Sequence, residues 1–279
     1  MDLLVARNVS KRFGGLQALT SLDVALAEKS IHSVIGPNGA GKTTFFNCIT
    51  GFYNPEEGQV IFAGEEIQGM PPDRVAERGI SRTYQNIRLF SNVTVLENVL
   101  VGMHRHLHTG WFGAVGRFPK NRKEEEAARE EGMRILKFVD LHRKADYIAK
   151  NLPYGEQRRL EIARALASKP RVVLLDEPTA GMNPRETEDT TTLIRRLRDD
   201  LGITILLIEH DMRVVMNVSD QITVLDFGKK IAEGDALAIR TNPQVIEAYL
   251  GRGAATGSNY GARVLPDAAA ALSSAATGS

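Results

Sequence analysis

Short apolar runs ending in polar or turn-forming residues recur along the chain and read as strands: Ile31 to Ile35, Gln59 to Ala63, Ile80 to Tyr84, Arg171 to Leu175, Ile203 to Ile208 and Gln221 to Asp226. Ahead of them, residues 3 to 13 and 22 to 26 predict two early strands joined by a turn at Gly14-Gly15. The intervening stretches have helical character. Thr43 to Thr50 holds no Gly or Pro, and Pro71-Pro72 opens a short helix through Glu77, since proline is well placed in a first helical turn. Pro184 to Asp200 is charged and closes at Gly202, where a helix C-terminus favours glycine, and Pro243 to Leu250 predicts a terminal helix. Strands alternating with helices imply an α/β fold: a largely parallel sheet with helices on both faces.

One block breaks the rhythm. From about Asn86 to Ala167, Thr94 to Val101 opens a helix, and Asn121 to Val139 is dominated by Glu, Ala, Arg and Lys, with Met133, Leu136 and Val139 spaced as on one helix face. Between them H-T-G-W-F-G-A-V-G-R-F-P reads as a loop, so the block is a mainly helical insertion. Beyond Gly251 the sequence falls to Ala, Gly, Ser and Thr, which bury too little apolar surface to offset ordering entropy.

Composition narrows the field. The 279 residues suffice for one large domain or two modest ones, and 43% hydrophobic with 25% charged residues is ordinary for a soluble protein. A net charge of +1 argues against a general nucleic-acid surface and against electrostatic recruitment to anionic lipid. No apolar run approaches the roughly 20 residues that span a bilayer. Met1 to Arg7 lacks the cationic n-region of a signal peptide. Cys48 is the only cysteine, which rules out an internal disulfide and fits a cytosolic address; it is expected to act as a small buried hydrophobe.

The chemistry starts where the first core strand ends. Gly36, Pro37, Asn38, Gly39, Ala40, Gly41, Lys42, Thr43 and Thr44 form a glycine loop set between the Ile31 to Ile35 strand and a helix. That is the context in which G-x-x-x-x-G-K-[ST] counts as a phosphate-binding loop. Glycines let consecutive backbone N–H groups turn inward, and the helix presents its positive end to the same point, so an anionic triphosphate such as that of ATP fits there. Lys42 would reach the β- and γ-phosphates, and the Thr43 hydroxyl would join a Mg²⁺ shell of phosphate oxygens and water. Farther on, the run Val172 to Leu175 delivers Asp176 and Glu177 at a strand's C-terminal end, where an open α/β sheet places its ligand. Asp176 would hold Mg²⁺, directly or through water, and Glu177 would act on the attacking water as general base.

Six features in order then carry a family resemblance: Phe13, the glycine loop, Gln85, the segment Leu152 to Gln157 followed by Arg158-Arg159-Leu160-Glu161, the acidic strand end, and His210 after the next strand. Over residues 1 to about 253 the chain resembles an ATP-binding-cassette ATPase. More narrowly, L-P-Y-G-E-Q-R-R-L-E-I-A-R-A-L and A-G-M-N-P-R-E-T are similar to one ATPase subunit of the high-affinity branched-chain amino-acid importers. The resemblance implies a P-loop (RecA-like) core over residues 1–85 and 168–240 with an N-terminal antiparallel β part, a helical subdomain over about 86–167, a terminal helix at 243–250 and a low-complexity tail at 254–279. It implies that Phe13 stacks on adenine, that Gln85 touches Mg²⁺ and the water, and that His210 contacts the γ-phosphate and holds the water in line. From spacing alone, Phe13 also fits a core aromatic at a strand end.

It further implies that Gly155 caps a γ-phosphate bound on a second cassette, so that the complete site is a sandwich of two. Here the chain departs from the family pattern L-S-G-G-Q, with Pro153 in place of serine and Tyr154 in place of the first glycine. Losing the serine removes a hydroxyl donor to a charged group, about 1.5 to 3 kcal/mol, while the helix dipole and backbone amides survive. The expected partner is therefore a different cassette, forming a heterodimer; Asn183, where the family often has aspartate, points the same way. Two membrane permease subunits, indirectly an extracytoplasmic solute-binding protein, no nucleic acid, and a peripheral position on the cytoplasmic face of the membrane complete the expectation. Trp111, Phe112 and Phe118 either line a groove for a membrane-subunit helix or cover the insertion's own core. A soluble cassette ATPase acting on ribosomes or DNA is the alternative, though such proteins usually carry two cassettes or a long coiled coil. His104, His106 and His108 align only in an extended strand and have no nearby acid or cysteine, so a solvated helix end or a contact surface outweighs a metal site.

Overall fold

The computed structural model describes residues 1–103 and 119–250. His104, His106, His108, Trp111, Phe112 and Phe118, and the segment beyond Leu250, lie outside the described residues. The chain forms two compact units, one of Met1–Arg78 with the chain from Ile194 onward, the other of Gly79–Leu193.

In the first unit, β1 (Asp2–Phe13) and β2 (Leu16–Ala27) form a hairpin closed at Gly14-Gly15, and β1 also pairs antiparallel with β4 (Glu57–Phe62). β4 in turn pairs with the short β5 (Glu65–Glu66). Leu4 stands opposite both Leu26 and Phe62, so one face of this sheet is continuous apolar surface. β2 begins at Leu16, earlier than the expected Leu22. Its first residues lack clean alternation; they pair with the end of β1 across the turn, and Thr20 N also donates to Gly228 O at 2.9 Å.

The unit's second sheet runs β10 (Lys229–Gly234), β9 (Gln221–Asp226), β3 (Ile31–Ile35), β8 (Thr204–Ile208). β3 is parallel to both β8 and β9, and every residue of β3 and β8 is buried, as expected where both faces of a parallel sheet are covered. The helices α7 (Met212–Val218), α8 (Ala236–Thr241) and α9 (Pro243–Leu250) pack Met212, Val215, Ile239, Val245 and Ile246 against Ile35, Ile222 and Val224. Each such side chain contributes about 1.5 to 3 kcal/mol by leaving water. β10, with two lysines and a glutamate, carries no strand signal of its own. It forms because Phe227 (φ 44°) and Gly228 (φ 76°) make the tight turn that folds it back on β9.

In the second unit, β6 (Ile80–Arg82) lies parallel to β7 (Val172–Asp176), and the helices α3 (Val95–Met103), α4 (Pro119–Phe138) and α5 (Tyr154–Ala167) pack together. α3 opens with a reciprocal cap: Glu97 N donates to Thr94 Oγ1 and Thr94 N to Glu97 Oε2. β6 is shorter than the expected Ile80 to Tyr84. Thr83 N still reaches Leu174 O at 2.9 Å, but the carbonyls of Tyr84 and Gln85 are taken by a side chain from α5. α6 (Pro184–Asp199) starts in this unit.

Cys48 in α1 (Lys42–Ile49) is buried, and burial pushes its thiol up to about 12, in line with a structural role. His32 in β3 is 1% exposed, with Nε2 2.8 Å from Thr223 Oγ1. Burial pulls its pKa from 6.5 to about 4, only partly opposed by Glu233. Because the folded-state value is depressed, the neutral imidazole supports the fold above pH 6.5, and that support is lost as pH falls toward 4. A tenfold change in proton affinity corresponds to about 1.4 kcal/mol, so the whole loss comes to about 3 kcal/mol. Denaturant unfolding at pH 7 and pH 4 is expected to show this acid loss in the wild type and to lack it in His32→Leu; equal losses in the two would remove His32 as the cause.

Candidate functional site

The glycine loop connects β3 to α1 in the first unit, as the spacing predicts. Gly36, Gly39 and Gly41 have φ of 147°, 81° and 102°, values that L side chains adopt only under strain. These dihedrals turn the loop back on itself, and the Lys42 ammonium donates to Gly36 O at 2.7 Å and Pro37 O at 2.9 Å. α1 has no side-chain cap at Gly41 and no acidic residue in its first turn, so none of its own side chains offsets its positive end. A Cβ on Gly36 would lie 2.1 Å from Leu225 O, whereas one on Gly39 would meet nothing within 4 Å. The loop is thus braced on the sheet side and open on the other, a cradle that fits a phosphate chain. Pro37, Asn38, Ala40 and Thr44 belong to the same segment, and the Thr43 side chain is exposed at the helix start.

Two further predicted residues stand in this unit. His210 follows β8 with its side chain 60% exposed. Its backbone is fixed by Glu209, fully buried, whose Oε2 accepts from His210 N at 3.0 Å and Asp211 N at 3.4 Å. Asp211 then caps α7 by accepting from Arg213 N. Phe13 is 42% exposed, so it is not the core aromatic that its spacing also allowed. Tyr53 meets it edge-on at 5.0 Å and Lys11 Nζ sits 5.3 Å from its ring centroid.

The second unit holds the acidic strand end. β7 terminates at Asp176, and Glu177 follows with φ 48°, a left-handed conformation uncommon for a non-glycine residue and found where a side chain must be aimed. Arg82 Nη2 donates to Asp176 Oδ2 at 2.7 Å, with both side chains nearly buried. Gln85 Nε2 donates to Glu177 Oε2 at 2.9 Å, so the fold brings the predicted glutamine and predicted base together. Arg82 is missing from the predicted site, because a single arginine closing a short strand carries no signal until the register pairs it with Leu174, two residues before Asp176. Glu209 is missing for a similar reason, since a polar residue at a strand end is usually solvated.

Gly155 sits in the first turn of α5, whose N-cap Pro153 offers no side-chain acceptor. A Cβ there would come within 2.9 Å of Glu186 Oε1, so the glutamate packs directly over the glycine. Glu186 is held in turn by a reciprocal cap on α6: Asn183 Oδ1 accepts from Arg185 N and Glu186 N at 3.0 Å each, and Glu186 Oε2 from Asn183 N at 3.1 Å. Asn183 therefore has a local helix-capping role that asparagine and aspartate fill equally. Among the described residues no cluster of three or more His, Cys, Asp or Glu could hold a metal ion.

Among the described residues, no helix is long and apolar enough to cross a membrane. Two family patterns match the chain: ABC transporter over residues 19–180 and Branched-chain amino acid ATP-binding cassette transporter over residues 229–255. The chain is 48% identical over 249 residues to the high-affinity branched-chain amino acid transport ATP-binding protein BraF of Pseudomonas aeruginosa, covering 89% of this chain and 98% of that protein. Among solved structures it is similar to the ADP conformation of MJ1267, an ATP-binding cassette of an ABC transporter, with TM-score 0.78, 33% identity, and 90% and 99% of the two chains covered. It is also similar to a dimeric post-hydrolysis state of the ATP-binding cassette MJ0796 bound to ADP and Pi, with TM-score 0.70, 27% identity, and 84% and 98% covered.

Proposed function

Because the chain belongs to the ABC transporter family of ATP-binding cassettes, we propose that it is the ATP-hydrolysing subunit of an importer for branched-chain amino acids. It is an ATPase with the P-loop cassette fold, and its family binds nucleotide. The observation that carries the importer assignment is the nearly full-length match to a branched-chain amino acid transport ATP-binding protein, reinforced by the family pattern at the C-terminal segment.

The residues take these roles in the proposal. The amides of Gly36 to Thr44 and the Lys42 ammonium hold the phosphates, and Phe13 stacks on adenine. Thr43, Gln85 and Asp176 are the residues that would hold Mg²⁺, which would supply charge neutralisation at the phosphate oxygens. Arg82, bonded to one oxygen of Asp176, orients that carboxylate and leaves its other oxygen for the cation. Glu177 accepts a proton from water as the new oxygen–phosphorus bond forms and the bond to the ADP oxygen breaks; Gln85 steadies its carboxylate. His210, presented at the end of β8 by the buried Glu209, holds the water and γ-phosphate in line. Gly155 and the amides opening α5 cap the nucleotide of a second cassette. Two membrane permeases, and through them a solute-binding protein, complete the assembly, with the chain peripheral on the cytoplasmic face.

Pro153 makes the half-site lent to the partner the weaker one, so the complete enzyme is a heterodimer. The expected result is low phosphate release by this chain alone and a rise of about tenfold or more on adding a second cassette with the L-S-G-G-Q sequence, from the 1.5 to 3 kcal/mol at stake. Full activity in the isolated chain would overturn the heterodimer. In liposomes holding both cassettes, the permeases and the binding protein, ATP-dependent leucine uptake is expected, and hydrolysis without uptake of any branched-chain amino acid would overturn the cargo.

A further inference from the structure

Arg158 and Glu161 on α5 are among the most buried charged groups in the described residues, at 0% and 1% exposure, with Arg158 Nη1 2.9 Å from Glu161 Oε2. A buried ion pair adds little net stability, because desolvation cancels most of the attraction. Its placement is therefore better explained by what else it binds. Arg158 Nη1 donates to the carbonyl of Tyr84 at 2.5 Å and Nη2 to the carbonyl of Gln85 at 2.7 Å. Glu161 Oε1 accepts longer bonds from the amides of Tyr84 at 3.4 Å and Arg88 at 3.3 Å. One helix thus grips both the carbonyls and the amides of the loop that carries Gln85. The fork geometry of a guanidinium is needed to take two successive carbonyls while facing a carboxylate; a lysine ammonium could not span them.

From this geometry we infer that the Arg158–Glu161 pair is a positioning device, a rigid strut joining the start of α5 to the loop that sets Gln85 against Glu177. Resting on the cassette reading above, the strut ties the half-site that this chain lends to its partner to the chain's own hydrolytic group. The connection is short: Gly155 opens α5, Arg158 lies one turn later, its guanidinium holds Gln85 O, and the Gln85 side chain holds Glu177. Tyr154, standing where the family has glycine, adds its hydroxyl 3.4 Å from Arg158 Nη2. A shift at either end is therefore transmitted by polar contacts rather than absorbed by a soft loop.

The test uses Arg158→Lys and the double variant Arg158→Met/Glu161→Leu, the latter removing both charges so that neither is left buried alone. The full chain is kept at a concentration where gel filtration shows a monomer, and amide hydrogen exchange is read with and without a non-hydrolysable ATP analogue. In the wild type the analogue is expected to slow exchange both at residues 84–88 and at 154–158. In the double variant, protection at 154–158 disappears, and basal exchange at 84–88 rises by about tenfold with β7 amides unchanged. Turnover of the assembled enzyme is expected to fall at least about tenfold with KM for ATP within about twofold, since misplacing Gln85 acts on the reacting geometry. Arg158→Lys falls between. If the double variant does not fold, Arg158→Lys decides alone: wild-type exchange and turnover in it overturn the inference. Wild-type coupling between the two segments in a folded double variant also overturns it. Absence of ATP hydrolysis in the wild type would instead overturn the cassette reading, while the exchange comparison would still read the strut.

Discussion

Glu177→Gln is expected to bind ATP with an affinity within about twofold of the wild type and to lose about 10²- to 10⁴-fold in turnover, the usual share of a general base. The substitution is nearly isosteric. It keeps the Cβ, so the left-handed backbone at φ 48° is no more strained than before. Its amide oxygen can still accept the bond that Gln85 Nε2 now gives to Glu177 Oε2. What disappears is the group able to take a proton from water, so the loss falls on the chemical step while the phosphate cradle in the other unit is untouched. Equilibrium binding of a fluorescent nucleotide and a phosphate-release assay measure the two quantities separately. Sustained multiple-turnover hydrolysis at a rate near wild type would remove Glu177 from the base role.

The second large effect is a contrast between two glycines of one loop. At Gly36 a methyl group would lie 2.1 Å from Leu225 O and 3.1 Å from Ala40 Cβ, with φ at 147°. Leu225 is buried inside β9, so its carbonyl cannot withdraw without breaking the sheet. Backbone strain and overlap together make Gly36→Ala destabilising by about 3 to 5 kcal/mol. At Gly39 the φ of 81° carries a strain of about 1 to 2 kcal/mol, but nothing lies within 4 Å of the added methyl. In the proposed function the open side of Gly39 is where a phosphate chain would reach the loop amides, so Gly39→Ala is expected to remain folded and to lose at least about tenfold in nucleotide affinity. Thermal melts and nucleotide titration of both variants check the pair. A Gly39→Ala protein that binds nucleotide like the wild type would show that the loop is not the phosphate seat.

Much of the proposed site could be read from the sequence because its residues sit at fixed offsets from strand ends. Lys42 and Thr43 follow β3 through a glycine spacing that only a phosphate loop requires, and Asp176 and Glu177 end a run too apolar to be anything but a buried strand. The helix boundaries of α6 and α9 were likewise visible in proline, glycine and charge placement. Elements without local signals were not. β10 is mostly polar and β2 begins irregularly, and each owes its strand form to pairing with the strand before it across a tight turn.

By itself, the order of residues determined the α/β alternation, the phosphate loop, the acidic strand end and the family to which the chain belongs, because each depends on spacing within a few residues or on a pattern read along the chain. Only the tertiary structure decided that Arg82 would hold Asp176, that Glu209 would lie buried beneath His210, and that Arg158 with Glu161 would grip the loop of Gln85. Those contacts join groups whose partnership depends on strand register and helix packing, or on burial that turns an ordinary charged residue into one that must find a partner. A charge looks solvated in a sequence until the fold removes its water.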